Sequence, residues 1–294
     1  MRTLAKLFII FAALLALGAA FLWKNLTAPS AAEKAASASQ PQTGNASTPG
    51  SPQSTTPTAI PPATSAVDAV KAFEALKQRA KDGDAISQRL LAQTYETCFI
   101  VNLNRDRFLA SFQQSSLTDP AQIARQARII QQRMQLCDAV DTGAIIPTQL
   151  VNGWYAQAAA NGDLASRATV YARQAIPMDR AAFTQLLDDV VASGDPAAMY
   201  SLGNALGRRV AENAGEPYTA LVTGPMTSQA WMVAACRMGY DCGPESTDAT
   251  NFCLLVNRCE GETTEELVFA MVPTAEQRQA LERQAQQIID AVSP

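Results

Sequence analysis

The sequence contains no histidine. That absence removes Ser-His-Asp and Cys-His catalysis, imidazole acid–base chemistry and every metal site that needs an imidazole nitrogen. Carboxylate chemistry, a Ser–Lys pair and an all-cysteine zinc site remain open. Aromatic residues are only 6% of the chain, and β-branched runs are scarce, which argues against strands. A Gly-rich phosphate loop, an EF-hand loop, a nucleophile elbow and a Cys-x-x-Cys pair are all missing. Nucleotide binding, calcium binding, hydrolase-elbow chemistry and thioredoxin-like exchange therefore have no motif here. The chain reads as non-catalytic, with no cofactor implied.

Basic residues are also few where they would be needed for nucleic acid. The formal net charge is −4, and residues 66–294 carry 19 basic against 26 acidic side chains. Phosphate backbones are bound by Lys and Arg, so a nucleic-acid partner is not expected.

What is present begins with an apolar run. Arg2 and Lys6, in a short n-region of residues 1–6, precede an uncharged stretch at 7–23, and Lys24 closes it. At 1.5 Å per residue this run covers about 25 Å, just short of a hydrocarbon core of about 30 Å. A transmembrane signal anchor fits. A cleavable signal peptide also fits, because Gly18, Ala19 and Ala20 supply small residues, but Phe21, Leu22 and Trp23 carry the run past them. Either way the flanking positive charges keep the N-terminus cytoplasmic and send the remainder across the inner membrane, into the periplasm.

Residues 24–65 are dominated by Ala, Ser, Thr, Pro and Gln. Pro29, Pro41, Pro49, Pro52, Pro57, Pro61 and Pro62 exclude a helix. Few large apolar residues are available to offset ordering entropy, so a disordered, partly polyproline tether is expected. As a loose coil it spans about 35 Å.

From residue 66 apolar side chains recur at helical spacing, and a turn recurs between helices. It appears as Asp82-Gly83-Asp84, as Asn161-Gly162-Asp163, as Ser193-Gly194-Asp195, and more weakly around Gly239 and Asp241. Glycine ends one helix in the left-handed conformation, and the aspartate caps the free N–H groups of the next. Pro196 suits a first helical position. Each unit is then a pair of antiparallel helices, and stacked pairs make a solenoid. The expected fold is all-α from residue 66 to 294.

The stretch Trp154-Tyr155-Ala156-Gln157-Ala158-Ala159-Ala160-Asn161-Gly162-Asp163 resembles the Sel1-like repeat, a relative of the tetratricopeptide repeat. The Gly83 and Gly194 copies are similar, the latter followed by Tyr200 and by Leu202-Gly203. The resemblance implies a Sel1/TPR-like solenoid acting as an adaptor or scaffold, with another envelope protein or peptide as partner. The Gly-Asp spacing of 79, 32 and 45 residues is irregular, so the solenoid is irregular too. The longest gap holds helices expected at 105–112 and 120–137, the second opened by Asp119 as cap and Pro120. Thr274 to Gln277 form a capping-box sequence for a last helix at 274–291.

Six cysteines, Cys98, Cys137, Cys236, Cys242, Cys253 and Cys259, suggest disulfides in an exported domain. Cys236 and Cys242, like Cys253 and Cys259, place one cysteine on a helix and one past its end. Local staples are the simplest pairing, because a helix over 245–256 would hold Cys242 and Cys259 too far apart for a bond. Cys98 and Cys137 then remain for each other. The competing reading is a four-cysteine zinc site from Cys236 to Cys259, whose spacing lacks the usual knuckles.

Trp154, Tyr155, Tyr171, Tyr200 and Trp231 fit either a peptide groove or the core. Arg208-Arg209 reads as surface. Glu260, Glu262, Glu265 and Glu266 read as a solvated loop and an acidic first helical turn. Asp188-Asp189 is the nearest candidate for a carboxylate hydrolase, but adjacent helical residues diverge by about 100° and cannot face one substrate. The sequence favours a non-catalytic periplasmic interaction or scaffold module. A carboxylate hydrolase of envelope polymers and a dedicated inhibitor or immunity-type binder are the alternatives.

Overall fold

A computed structural model describes residues 65–113, 115–173, 179–208 and 218–292. All of them lie in the compact unit Thr56–Pro294. The expectations for residues 1–6, 7–23 and the linker up to residue 64 fall outside these residues, as does the Arg208-Arg209 side-chain pair. Among the described residues there are thirteen α-helices and no strand. None of these helices is long and apolar enough to cross a membrane.

The helices are α1 (Ala66–Lys81), α2 (Ala85–Leu103), α3 (Arg105–Ala110), α4 (Pro120–Ala139), α5 (Thr148–Ala160), α6 (Leu164–Arg173), α7 (Arg180–Ser193), α8 (Pro196–Arg208), α9 (Thr219–Val222), α10 (Thr227–Arg237), α11 (Thr247–Val256), α12 (Thr264–Ala270) and α13 (Ala275–Val292). Their ends follow from side-chain chemistry. Asp84 accepts from Ser87 N at 2.7 Å, and Asp163 from Ser166 N at 2.8 Å. Before each aspartate a glycine sits at φ +95 (Gly83) or +97 (Gly162). The residue after each glycine bonds back five positions, Asp84 N to Arg79 O and Asp163 N to Ala158 O, which satisfies a free carbonyl of the ending helix. These three-residue turns fold α1 onto α2 and α5 onto α6 as antiparallel pairs.

The copy at Gly239 departs from the pattern. The glycine is left-handed and Tyr240 N closes on Ala235 O, but no helix opens at Asp241. The chain is instead held by a Cys236–Cys242 bond, and the next helix waits for Ser246, whose hydroxyl accepts from Ala249 N. Helix α11 therefore begins at Thr247, two residues later than the expected 245. At Thr274 the cap is only half a box. Its hydroxyl accepts from Gln277 N, while the Gln277 amide oxygen takes the hydroxyl proton. The complete capping box is at Thr263 and Glu266, opening α12.

Helices pack as successive neighbours along the order α1, α2, α5, α6, α8, α10, α13. Helix α4 lies against α1 and α2 and also meets α11, so the inserted segment links the early helices to a late one. Three apolar clusters result. One gathers Phe73, Leu76, Leu91, Tyr95, Val151 and Tyr155. A larger one gathers Leu186, Leu187, Met199, Leu202, Trp231, Leu281 and Ile288. A small third joins Ile129 of α4 to Leu254 and the Cys253–Cys259 bond.

Candidate functional site

Helix α2 is long enough to carry Arg89 and Glu96 two turns apart on one side, and both meet the helices that follow. Glu96 accepts a hydrogen bond from Tyr155 Oη of α5 at 2.9 Å and pairs with the Arg173 guanidinium of α6. That guanidinium lies over the Tyr155 ring, 4.8 Å from its centroid, and donates to Asn152 Oδ1 at 3.0 Å. Burial, and then the Glu96 charge, push the Tyr155 hydroxyl well above its ordinary range. Arg89 donates from Nε to the Asp163 carboxylate at 3.1 Å, so the cap of α6 is also a counter-ion.

A second polar group joins α8, the α10–α11 loop and α11. Tyr200 of α8 and Tyr240 of the α10–α11 loop stack with centroids 4.2 Å apart and 16° between planes. Tyr240 Oη donates to Asp248 of α11 at 3.1 Å. Desolvation raises the Asp248 pKa, and the Asp241 and Glu96 charges add to it, against the lowering effect of the two tyrosine bonds. The two groups share a field: Glu96 acts on both Tyr155 and Asp248, and Arg89 on both Tyr155 and Tyr240. Asp248 and Tyr240 are part exposed.

Arg133 of α4 is enclosed where α4 meets α11. It donates to Asn251 Oδ1 at 2.9 Å, and no carboxylate lies within ion-pair distance among the described residues. Desolvation pulls its pKa down to about 10. Beyond it, a shallow open depression is lined by Asp119, Gln122, Arg125, Arg128, Cys259 and Glu260. Its charges are largely spent on one another and on neighbours: Gln122 donates to Glu260 at 3.2 Å and Arg125 pairs with Glu245 at 2.7 Å.

The cysteines are joined as Cys98–Cys137, Cys236–Cys242 and Cys253–Cys259, with Cα separations of 5.2, 5.5 and 4.6 Å. Every sulfur of the proposed zinc set is bonded to another sulfur, so none is a thiolate ligand here. Among the described residues no cluster of three or more potential ligands is arranged for a metal.

The aromatic residues singled out from the sequence separate into two kinds. Tyr171 stacks on Phe183 in the core, and Trp231 is fully buried with its indole N–H given to Leu221 O at 2.8 Å. Tyr155 buries its ring and gives its hydroxyl to Glu96, and Tyr200 is buried with its ring stacked on Tyr240. Trp154 is half-buried and its indole N–H has no partner. Asp188 and Asp189 are parted: Asp188 accepts from Tyr218 and Asp189 from Arg167, each at 2.5 Å. Of the four glutamates, Glu262 pairs with Arg258, Glu265 with Arg237, and Glu266 completes the capping box. Glu260 accepts from Gln122. Sequence reasoning missed Asp248, Glu96 and Arg133. An acidic residue in a first helical turn, a lone glutamate and a lone arginine on helices carry no signal of their own.

Comparison with protein-family models, with curated proteins and with solved structures finds no match to this chain.

Proposed function

We propose that the chain is a non-catalytic protein-interaction or scaffold module, held at the inner membrane through residues 7–23 and working in the periplasm. In this reading its helix pairs stack as an irregular Sel1/TPR-like solenoid. The observation that carries it is the serial packing of α1, α2, α5, α6, α8, α10 and α13, each helix against the next. Quasi-one-dimensional helix stacks create extended concave surfaces, and such surfaces suit polypeptide partners. Three disulfides are compatible with an oxidising compartment.

The test is photo-crosslinking in cells from two exposed positions, Asn152 beside Arg173 and Asp290 on α13. Discrete captured proteins from position 152, absent from position 290, are expected. Capture of one stoichiometric protein would narrow the role to a dedicated binder. Identical background from both positions would overturn the interaction reading. Protease access to the domain in spheroplasts, with the cytoplasm intact, checks the compartment.

A further inference from the structure

We propose that the end of the α1–α2 hairpin where the chain enters the domain is a membrane contact, which inserts Val67, Val70, Ile100, Leu103 and Ile145 into the interfacial layer of the bilayer that holds residues 7–23. The inference rests on the membrane reading of residues 7–23 above and adds which end of the domain touches the lipid.

The starting point is the distribution of exposed apolar side chains. Among the described residues ten large hydrophobic side chains are exposed, and five of them gather at this end. The register of the hairpin brings them there. Phe73 of α1 meets Tyr95 of α2 edge to face with ring centroids 6.0 Å apart, and Gln88 Nε2 donates to Ala80 O at 2.9 Å. Antiparallel pairing continued from those contacts sets Val67 and Val70, in the first turns of α1, beside Ile100 and Leu103 in the last turn of α2. Asn102 donates to Ala144 O at 3.1 Å, which holds Ile145 at the same end. Val67, Ile100, Leu103 and Ile145 are each more than half exposed, at 62, 58, 53 and 66%. The core is carried by other positions of the two helices, Ala69, Phe73 and Leu76 on α1 and Tyr95, Cys98 and Val101 on α2. Exposed apolar side chains gathered in this way mark an interaction surface.

The covalent path of the chain identifies what covers it. Ser65 caps α1, accepting from Asp68 N at 3.2 Å, so everything before it joins the domain at this end. In the membrane reading the lipid surface is reached through residues 24–65, whose span as a loose coil is about 35 Å. Such a tether holds the surface at high effective concentration near the entry point, and a contact too weak to recruit a free domain then suffices. Charge does not supply the attraction. Lys71, Arg105 and Arg107 are offset by Asp68, Asp106 and Asp138, and Arg105 pairs with Asp138. The contact is therefore made by apolar side chains entering the headgroup boundary.

The test uses the full-length chain in phosphatidylcholine liposomes. The photo-crosslinker p-benzoylphenylalanine is placed at position 145 and, as control, at the exposed position 290 on α13. Irradiation should attach lipid at 145 and not at 290, a comparison that needs no further variant to fold. Ile100→Asn combined with Leu103→Asn should lower the lipid adduct at 145 by about tenfold. The adduct should persist at ~0.5 M salt, since no net charge drives the contact. Equal labelling at 145 and 290, an undiminished adduct in the double variant, or loss of the adduct in high salt would each overturn the contact. Adducts at 145 that join two copies of the chain instead of lipid would assign the patch to self-association and overturn it too. A chain that stays in the liposomes through alkaline washing but gives no lipid adduct keeps the anchor reading and removes this one. A chain stripped from the liposomes by alkaline washing overturns the anchor reading, and this contact with it.

Discussion

Around Cys98 the helices are tied by a bond that spans 39 residues of sequence, while around Trp231 they are tied by the closeness of their backbones. In the first region Phe73, Leu76, Leu91 and Tyr95 pack large side chains between α1 and α2, and the Cys98–Cys137 bond clamps α4 onto them. In the second, Ala198, Ala205, Ala230, Ala234 and Ala235 are all buried. A Cβ on Gly203 would lie only 2.9 Å from Ser228 O and 3.0 Å from Trp231 Cβ. The disulfide there, Cys236–Cys242, closes only a six-residue separation. The contrast has a physical cause. Small residues let α8 and α10 approach closely. Helix α4 packs on α1, α2 and α11, and the Cys98–Cys137 bond adds a long covalent loop closure to those contacts.

The largest effect expected is at the centre of the second region. Trp231→Ala removes a fully buried indole and leaves Leu221 O without its donor. A loss of about 5 kcal/mol is expected, enough to unfold a domain of ordinary stability. Urea unfolding followed by circular dichroism reads it. A loss below about 1 kcal/mol would mean that this core is not the one holding the second region.

Next comes the covalent clamp. Replacing Cys98 and Cys137 together by serine should cost about 4 kcal/mol in the chain-entropy account, against about 2 for Cys253 with Cys259. Double replacements avoid a stray thiol. Equal losses from the two pairs would break the comparison, since loop length is the only reason to rank them. Thiol titration of the unreduced, exported chain should find no free cysteine.

Gly203→Ala sharpens the other side of the contrast. Helix propensity alone favours alanine by about 1 kcal/mol. The new Cβ would press on backbone, which cannot swing aside as a side chain can, so a net loss of about 2 kcal/mol is expected. The same change at Gly153, where a Cβ would meet nothing within 4 Å, should stabilise instead. If both substitutions act alike, α8 and α10 are not packed as tightly as described.

The helical character from residue 66 was legible because it is local. Caps such as Asp84, Asp119 and Asp163, the left-handed glycines, and apolar spacing all act within one or two turns. Two cysteine pairs were legible for the same reason, since helix ends bring Cys236 and Cys253 near their partners in the following loops, and Cys98–Cys137 followed as the pair that remained. What could not be read is the meeting of α4 with α11. It depends on polar contacts across more than a hundred residues, Arg133 with Asn251 and Gln126 with Asn257, and such residues look like ordinary helix surface. Asn257 shows the limit well. Its left-handed φ of 55 ends α11, and its amide oxygen then accepts from both Gln126 and Ser115. The polar groups around these helices were half legible. Tyr155 and Tyr200 stood out as aromatics, but Glu96, which accepts from Tyr155, and Asp248, which accepts from Tyr240, did not.

The smallest effect concerns one of those carboxylates and runs in the opposite direction from the others. Asp248 has its pKa raised in the folded state, by desolvation first and by Asp241 and Glu96 after it. A raised folded-state value means that the group favours folding most when protonated. That contribution is complete below the ordinary carboxylate value of about 4, and it is lost as pH rises through the raised value. Near neutral pH the ionised Asp248 therefore holds the fold back slightly. Asp248→Asn, which cannot ionise and still offers an oxygen to Tyr240, should be more stable than wild type at pH 7 by about 0.5 to 1 kcal/mol. At pH 3.5 the advantage should shrink towards zero. Carboxylates remote from Asp248 titrate equally in both chains, so the difference between the two urea midpoints reads this group with its coupled neighbours Asp241 and Glu96. A difference that stays constant with pH, or that grows on acidification, would contradict the assignment of Asp248 as an uncompensated charge.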